Sequence, residues 1–352
     1  MIPEEISQIP ADSRRTRFFD AARAQGFQLS GIAPASPLAD FPLYEQWVTA
    51  GMAGPMTYLT DHRAALRQDP RTLLPSVRSI LCLGLLYNTP GPDAHSISRY
   101  AWGLSDYHDT LHSALQALVN QLLITWEPFE YRICVDTAPL LERSLARAAG
   151  LGWIGRNTCL IKEPLGSWFF LGEILVSLEL PSDAPPPDRC GTCRACIDAC
   201  PTQALVPAPD GTFRLDARLC ISTWTIEQKG ALAEEHRAQS GSHLFGCDIC
   251  QDVCPWNRRA PLTTEPGFQP IYANPDLTGL AALTPEDFRL RFRLTPLWRA
   301  KHTGLLRNVA TAMGNSGDLG YLPDLQQLAT HADPAVREHA AWAIGRLEAL
   351  PK

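Results

Sequence analysis

Residues 190–201 read C-G-T-C-R-A-C-I-D-A-C-P. Three cysteines at intervals of three can wrap one side of an iron–sulfur cubane. The fourth, a helical turn further on, points away from that loop toward another centre, the spacing by which paired [4Fe–4S] clusters are held. Pro201 stops the local helix, because it has no N–H and restricts the residue before it. A second run follows, Cys247-x-x-Cys250-x-x-x-Cys254-Pro255, with Cys220 between the two. Zinc competes for thiolates, but it takes paired C-x-x-C units or Cys/His mixtures. A triple C-x-x-C-x-x-C closed by C-P is neither, so the runs predict an iron–sulfur module.

The chain around them has 352 residues, 45% hydrophobic and 19% charged. That is the balance of a soluble globular protein with room for two or three domains. Of eleven cysteines, Cys82, Cys134 and Cys159 lie outside the runs in apolar surroundings and read as small core residues. The first residues, M-I-P-E-E-I-S-Q, lack the basic and apolar regions of a signal peptide. No apolar run reaches the eighteen residues a membrane span needs. The expectation is a cytoplasmic protein without a membrane segment. A net charge of −6 argues against bulk nucleic-acid binding. Residues 288–307 nevertheless carry Arg289, Arg291, Arg293, Arg299, Lys301 and Arg307 with no acid. Alone, such a run reads more readily as a solvated helix face than as a nucleic-acid contact.

Taken in order, residues 14–25 read as a helix closed by Gly26, and F-Q-L-S-G-I-A-P as a short strand. Arg63, Arg67 and Arg71 fall at i, i+4 and i+8, one face of a helix or extended turn. S-I-L-C-L-G-L-L-Y (79–87) is a strand buried on both faces, and an amphipathic helix runs from about 106 to 124. R-I-C-V (132–135) is a second buried strand. Pro139 suits the first turn of a helix over 139–149. Strand-then-helix units of this kind point to an α/β layer. G-W-I-G-R-N-T-C-L-I (152–161) matches no nucleotide-binding fingerprint. Residues 168–180 form a core strand or hairpin, and P-S-D-A-P-P-P-D (181–188) is a stiff boundary. Thr284 caps a helix opened by Pro285, and the last fifty residues alternate helix, polar turn and helix in the manner of HEAT-type hairpins.

Two clusters make an electron relay, so the remaining chain should hold the acceptor. Asp136 stands where a buried strand ends, a position where open α/β sheets bind ligands, although capping with Thr137 accounts for it equally well. The H-x-x-x-H at 108–112 reads as a surface feature. Asp106-Tyr107-His108 begins like the corrinoid signature D-x-H-x-x-G, but Leu111 replaces its glycine.

In their order along the chain, V-D-T-A-P-L-L-E-R (135–143), G-W-I-G-R-N-T-C-L-I, the cysteine runs and the helical tail resemble the epoxyqueuosine reductase family. The resemblance spans essentially the whole chain. It implies an α+β/α/β multidomain protein. Residues 1–180 would be an α/β cobalamin-binding catalytic domain similar to that of reductive dehalogenases, 181–265 a two-[4Fe–4S] ferredoxin-like domain, and 266–352 a HEAT-like region that binds transfer RNA. The implied reaction reduces epoxyqueuosine at the wobble position to queuosine, the last step of queuosine biosynthesis. It needs cobalamin, two clusters and an external low-potential electron donor; nothing in the chain demands more than a monomer.

Carried over by position, Cys190, Cys193, Cys196 and Cys254 would hold one cluster. Cys200, Cys220, Cys247 and Cys250 would hold the other. Asp136 would be the proton donor, with its carboxyl made less acidic by a desolvated pocket. Cobalamin contacts would come from Arg63, Arg99, Tyr100, Asp136, Asn157, Ser167, Ser222 and Thr223. Arg289, Arg291, Arg293, Arg299 and Lys301 would face the RNA. Two other readings are a corrinoid iron–sulfur reductase of a small molecule, dehalogenase-like in chemistry, and a bare electron-transfer module.

Overall fold

In a computed structural model, residues 10–92 and 94–349 are described; the reading of residues 1–8 lies outside them. Among the described residues eight strands form: β1 (Leu29–Pro34), β2 (Ser79–Leu86), β3 (Tyr131–Cys134), β4 (Trp153–Ile154), β5 (Leu160–Ile161), β6 (Phe169–Val176), β7 (Leu205–Pro207) and β8 (Phe213–Leu215). The main sheet has the order β1-β2-β6-β3. Its central pair sets Cys82 opposite Glu173 and Ile80 opposite Leu175, and Glu173 also faces Cys134 of β3.

Every residue of β2 is buried, so the sheet needs a cover on both faces. On one face the helices Ala11–Ala24 and Tyr107–Thr125 lay Phe18, Leu111, Leu115 and Leu118 against Leu81, Leu83 and Ile174. On the other, the helix Glu142–Ala148 sets Leu145 and Ala146 against Ile80, Cys82 and Leu175. The helix-covered buried sheet expected from the apolar strands is therefore present in β2 and β6, whereas β3, read as a buried strand, lies at the sheet edge with Tyr131 and Arg132 exposed. Its strands, however, are antiparallel throughout, so the body is α+β rather than a parallel α/β layer. Gly31 of β1 lets the end of the helix Glu142–Ala148 close in on the sheet: a Cβ there would stand 2.1 Å from the Ala149 carbonyl oxygen.

Local corrections follow from tertiary packing. The helix read from Pro139 starts at Glu142, because residues 137–141 are spent on turns. The three arginines 63, 67 and 71 share no face. Arg63 pairs with Asp61, Arg71 with Asp69, and Arg67 turns inward to donate to the Arg63 and Tyr58 carbonyls. Cys82 and Cys134 are buried as read.

In the cysteine-rich segment, the short helices Ala195–Ala199 and Ile249–Asp252 pack on each other, and each run ends in Cys-Pro just beyond its helix. Thr284 forms a capping box with Asp287 at the helix Pro285–Phe292, as its sequence predicts. Helices Lys301–Ser316 and Pro334–Glu348 pack along each other with Leu322–Leu328 beside them, and Asp333 caps the last.

The tail is fastened to the cysteine-rich segment by polar bonds. The guanidinium of Arg307, 2% exposed, donates to the carbonyls of Trp224, Gln228 and Gly230 and to Asn308 Oδ1. Asn308 Nδ2 in turn donates to the Thr225 and Leu244 carbonyls. Among the described residues no helix is long and apolar enough to cross a membrane.

Candidate functional site

Asp136 leaves the end of β3 with φ +51°, a left-handed conformation unusual outside glycine. Its backbone N–H donates to Glu142 Oε1 at 2.7 Å, which pins this turn to the first residue of the following helix. The bend sends the carboxylate toward the start of the helix Tyr107–Thr125, where His108 Nε2 meets Asp136 Oδ2 at 3.1 Å. The other ring nitrogen, Nδ1, lies 2.6 Å from Asp106 Oδ1, the same oxygen that caps the helix by accepting the His108 N–H. Tyr107 stacks on the His108 ring at 4.1 Å and on Phe170 at 4.3 Å, so the imidazole is held on its face as well as its edges. From the tail, Arg299 comes within 3.7 Å of Asp136 Oδ2, donates to the Tyr58 hydroxyl at 3.0 Å and pairs with Glu227 at 2.8 Å.

These neighbours reverse the expected acidity. Burial pushes the Asp136 carboxyl up, but the His108 hydrogen bond, the His108 charge and Arg299 outweigh it, leaving the group below its ordinary value. Burial opposes charge on His108, yet its bonds to Asp106 and Asp136 push it up to about 9. At neutral pH the proton of this pair therefore rests on the imidazole and Asp136 is a carboxylate. Behind Asp136, Glu142 is raised by burial and then by the negative Asp136. Glu173, fully buried in β6, is raised well above the ordinary value by burial and then by Glu142.

The expected cofactor contacts divide into two sets. Tyr100 lies in the field of Arg299 and Asp136, within an aromatic group of Tyr107, Phe170 and Phe245. Arg63 lies beside Tyr58. Ser222 and Thr223 open the helix Ile221–Ile226, which ends at Glu227. Of these four, Tyr100 stands in the field of Asp136, while Tyr58 and Glu227, both partners of Arg299, link Arg63 and the Ser222–Thr223 turn to that side. Arg99, Asn157 and Ser167 have no such link. The Arg99 N–H donates to Asp248 Oδ2, and its guanidinium lies over Trp102 and Trp168. Asn157 donates to the Cys250 carbonyl, and the Ser167 hydroxyl to Gln251. All three fasten the body to the second cysteine run.

The eight cysteines fall into two neighbourhoods. Burial pushes Cys196 up to about 11, and the thiols that add to it are Cys254, Cys190 and Cys193. Burial pushes Cys247 up to about 12, with Cys220 and Cys200 among the groups that add to it; Cys250 has Cys159, Cys247 and Cys220 around it. Cys254 thus stands with the first run and Cys200 with the second. The N–H groups of Ser222 and Thr223 point at the Cys220 sulfur, and Ala204 N–H donates to Cys200 Sγ at 3.3 Å. Arg156 fastens the first loop through the Gly191 and Cys193 carbonyls. Among the described residues no three His, Cys, Asp or Glu side chains gather closely enough for a single metal ion. Thiolates on a cubane bind separate irons and stand farther apart than the ligands of one tetrahedral ion.

The basic stretch also splits. Arg289, Arg291 and Arg293 are exposed on and just after the helix Pro285–Phe292, with Arg289 paired to Glu286 and Arg291 over Tyr272. Lys301 is exposed over Trp298. Arg299, 41% exposed at its side chain, instead reaches toward Asp136. Sequence reasoning missed that role, as it missed Glu142, Tyr58 and His108. For His108 a signal was present in Asp106-x-His108, but its link to Asp136 is made only by the fold.

A family model described as "4Fe-4S double cluster binding domain" matches residues 189–257, and one described as "Epoxyqueuosine reductase QueG, DUF1730" matches 67–137. An epoxyqueuosine reductase from Xanthomonas campestris pv. campestris is 40% identical over 354 residues, covering 96% of this chain and 97% of its own. A crystal structure of epoxyqueuosine reductase with a tRNA-Tyr epoxyqueuosine-modified stem loop superposes with a TM-score of 0.86 at 29% identity, over 96% of this chain and 91% of that one. A Bacillus subtilis epoxyqueuosine reductase, its aspartate catalytic loop described as swung out of the active site, also reaches 0.86, at 28% identity with the same coverage. The chain carries a double iron–sulfur cluster domain, is an oxidoreductase, and belongs to the epoxyqueuosine reductase family.

Proposed function

We propose that this enzyme reduces epoxyqueuosine in the anticodon loop of transfer RNA to queuosine, with Asp136 passing the proton to the oxygen that leaves. The observation that carries the reading is the convergence on Asp136. A left-handed turn, an imidazole, a guanidinium from the tail and a half-exposed carboxylate meet at one point. An alkoxide is a poor leaving group, so a positioned acid contributes about 10²–10⁴-fold.

The cysteine runs would hold two clusters, which would supply the electrons. Cys190, Cys193, Cys196 and Cys254 hold one, and Cys200, Cys220, Cys247 and Cys250 hold the other. Asn157 and Ser167 keep the second run against the catalytic body. The site also suits cobalamin. Both ring nitrogens of His108 are occupied by carboxylates, so this imidazole would not be what holds the corrinoid. Arg63, Tyr100, Ser222 and Thr223 would hold it through their polar groups. Bound there, cobalamin would supply a strongly reducing, nucleophilic metal centre. Arg289, Arg291, Arg293 and Lys301 face the RNA, where phosphates and splayed bases are met by cations and aromatic rings. Residues 1–180, 181–265 and 266–352 divide these tasks as catalytic, cluster and RNA-binding regions.

The test is anaerobic turnover of epoxyqueuosine-containing transfer RNA by protein reconstituted with iron, sulfide and cobalamin. Formation of queuosine by wild type and its loss in Asp136→Asn, at unchanged iron content, is the expected result. No queuosine from wild type sinks the reading; full activity in Asp136→Asn removes Asp136 from it.

A further inference from the structure

The reduction of an epoxide to an alkene breaks two C–O bonds, forms the C=C bond and releases the oxygen as water. It consumes two electrons, delivered singly from a low-potential donor through the clusters, and two protons. Asp136 is ionised at rest and holds neither proton. Resting on the reading above, we propose that His108 is the residue that loads Asp136, passing it the proton on Nε2 through their shared hydrogen bond.

The geometry supplies each part of the step. His108 Nε2 is 3.1 Å from Asp136 Oδ2, and Nδ1 is 2.6 Å from Asp106. Asp106 holds the ring with Nε2 aimed at Asp136, as a carboxylate behind an imidazole fixes its tautomer and stabilises its charged form. The stack of Phe170, Tyr107 and His108 prevents the ring from swinging out of this line. In the transfer the Nε2–H bond breaks and an O–H bond forms on Asp136, giving neutral imidazole beside a carboxylic acid. The acid then yields that proton to the departing oxygen and returns to carboxylate. His108, 30% exposed at its side chain, recovers a proton from solvent, and a second passage supplies the second proton. The charged groups facing this pair are Asp106, Arg299 and Glu142. Arg299 and the imidazolium together keep Asp136 anionic at rest. His108 acts through Asp136 and is a positioning and proton-loading residue, not one that touches substrate.

Two measurements test it. In the reconstituted enzyme under single-turnover conditions, His108→Ala is expected to lose about 10²-fold in rate. Added imidazole should restore part of it, with the restored rate following the acidity of substituted imidazoles. His108→Gln, which can donate a hydrogen bond but carries no transferable proton, should stay slow. Activity in His108→Gln within about threefold of wild type, or no response to imidazole, overturns the proposal. Independently of turnover, ¹³C-histidine NMR of the cluster-loaded wild type should show His108 titrating near 9 and moving down in Asp136→Asn. A His108 that titrates at or below the ordinary value of 6.5 overturns it even if the substrate reading fails. Failure of that reading alone shows as an inactive wild type with the imidazole still titrating high.

Discussion

Arg299 lies 3.7 Å from Asp136 and 2.8 Å from Glu227, so one guanidinium from the tail stands between the candidate proton donor and the edge of the cysteine-rich segment. Its partners make it part of the site rather than of the RNA surface.

That placement separates two kinds of arginine. Arg299→Ala should lower turnover by at least tenfold while changing the salt dependence of RNA binding little. Arg291→Glu with Arg293→Glu should weaken RNA binding and flatten the plot of log affinity against log salt by about 0.7–0.9 for each phosphate left without its cation. Filter-binding titrations between low and moderate salt, run beside single-turnover rates, check both. Equal effects on binding from the two sets would return Arg299 to the RNA surface.

The crossed arrangement of the cysteines predicts a crossed loss of metal. Cys254→Ser should perturb the cluster proposed for Cys190, Cys193 and Cys196, and Cys200→Ser the one proposed for Cys220, Cys247 and Cys250. Pairing the variants separates the outcomes in low-temperature EPR of the reduced protein. Cys254→Ser with Cys190→Ser should leave one intact cluster signal, whereas Cys254→Ser with Cys247→Ser should damage both. The opposite pattern would break the assignment.

Stability should carry the imprint of His108. Its pKa is raised from 6.5 to about 9 on folding. Its contribution is thus complete below pH 6.5 and lost as pH rises toward 9, where the folded imidazole also gives up its proton. Asp136 is shifted the other way, so its contribution holds above the ordinary 3.8 and is lost in acid. Denaturant midpoints taken between pH 6.5 and 9 should fall more steeply in wild type than in His108→Gln. Parallel slopes would show that the charged pair is absent in solution.

Glu173 makes the opposite demand. Neither carboxylate oxygen has a partner among the described residues, and its pKa is raised well above the ordinary 4.5 by burial. The unfolded chain releases this proton first, so the residue costs stability progressively above pH 4.5. Glu173→Met, similar in length and apolar, should raise stability at neutral pH by about 1–3 kcal/mol. The gain should shrink as pH falls toward 4.5. A loss of stability at every pH would mean that Glu173 has a partner after all.

The sequence was informative where chemistry is local. The cysteine spacings already separate Cys200 and Cys254 from their own runs, because a short helix followed by proline turns the fourth sulfur away. Thr284-Pro285 announces its helix because cap and first turn are set within four residues. Asp136 could be singled out as the polar end of an apolar strand, but its acidity could not. That depends on His108 from the start of one helix and Arg299 from another, brought together only by packing. The antiparallel sheet was hidden for a related reason. A strand buried on both faces has the same apolar pattern in either orientation. The basic stretch misled at Arg299 because charge density along a chain says nothing about which partners a side chain finds.

Arg307 and Asn308 have a consequence for engineering. Five main-chain carbonyls around the second cysteine run, from Trp224 to Leu244, find their donors on a single turn of the tail helix. The tail cannot then be exchanged between relatives as a modular RNA adaptor. A graft lacking this arginine–asparagine pair would leave buried acceptors without donors beside Cys220, and its first symptom should be a protein that fails to retain iron.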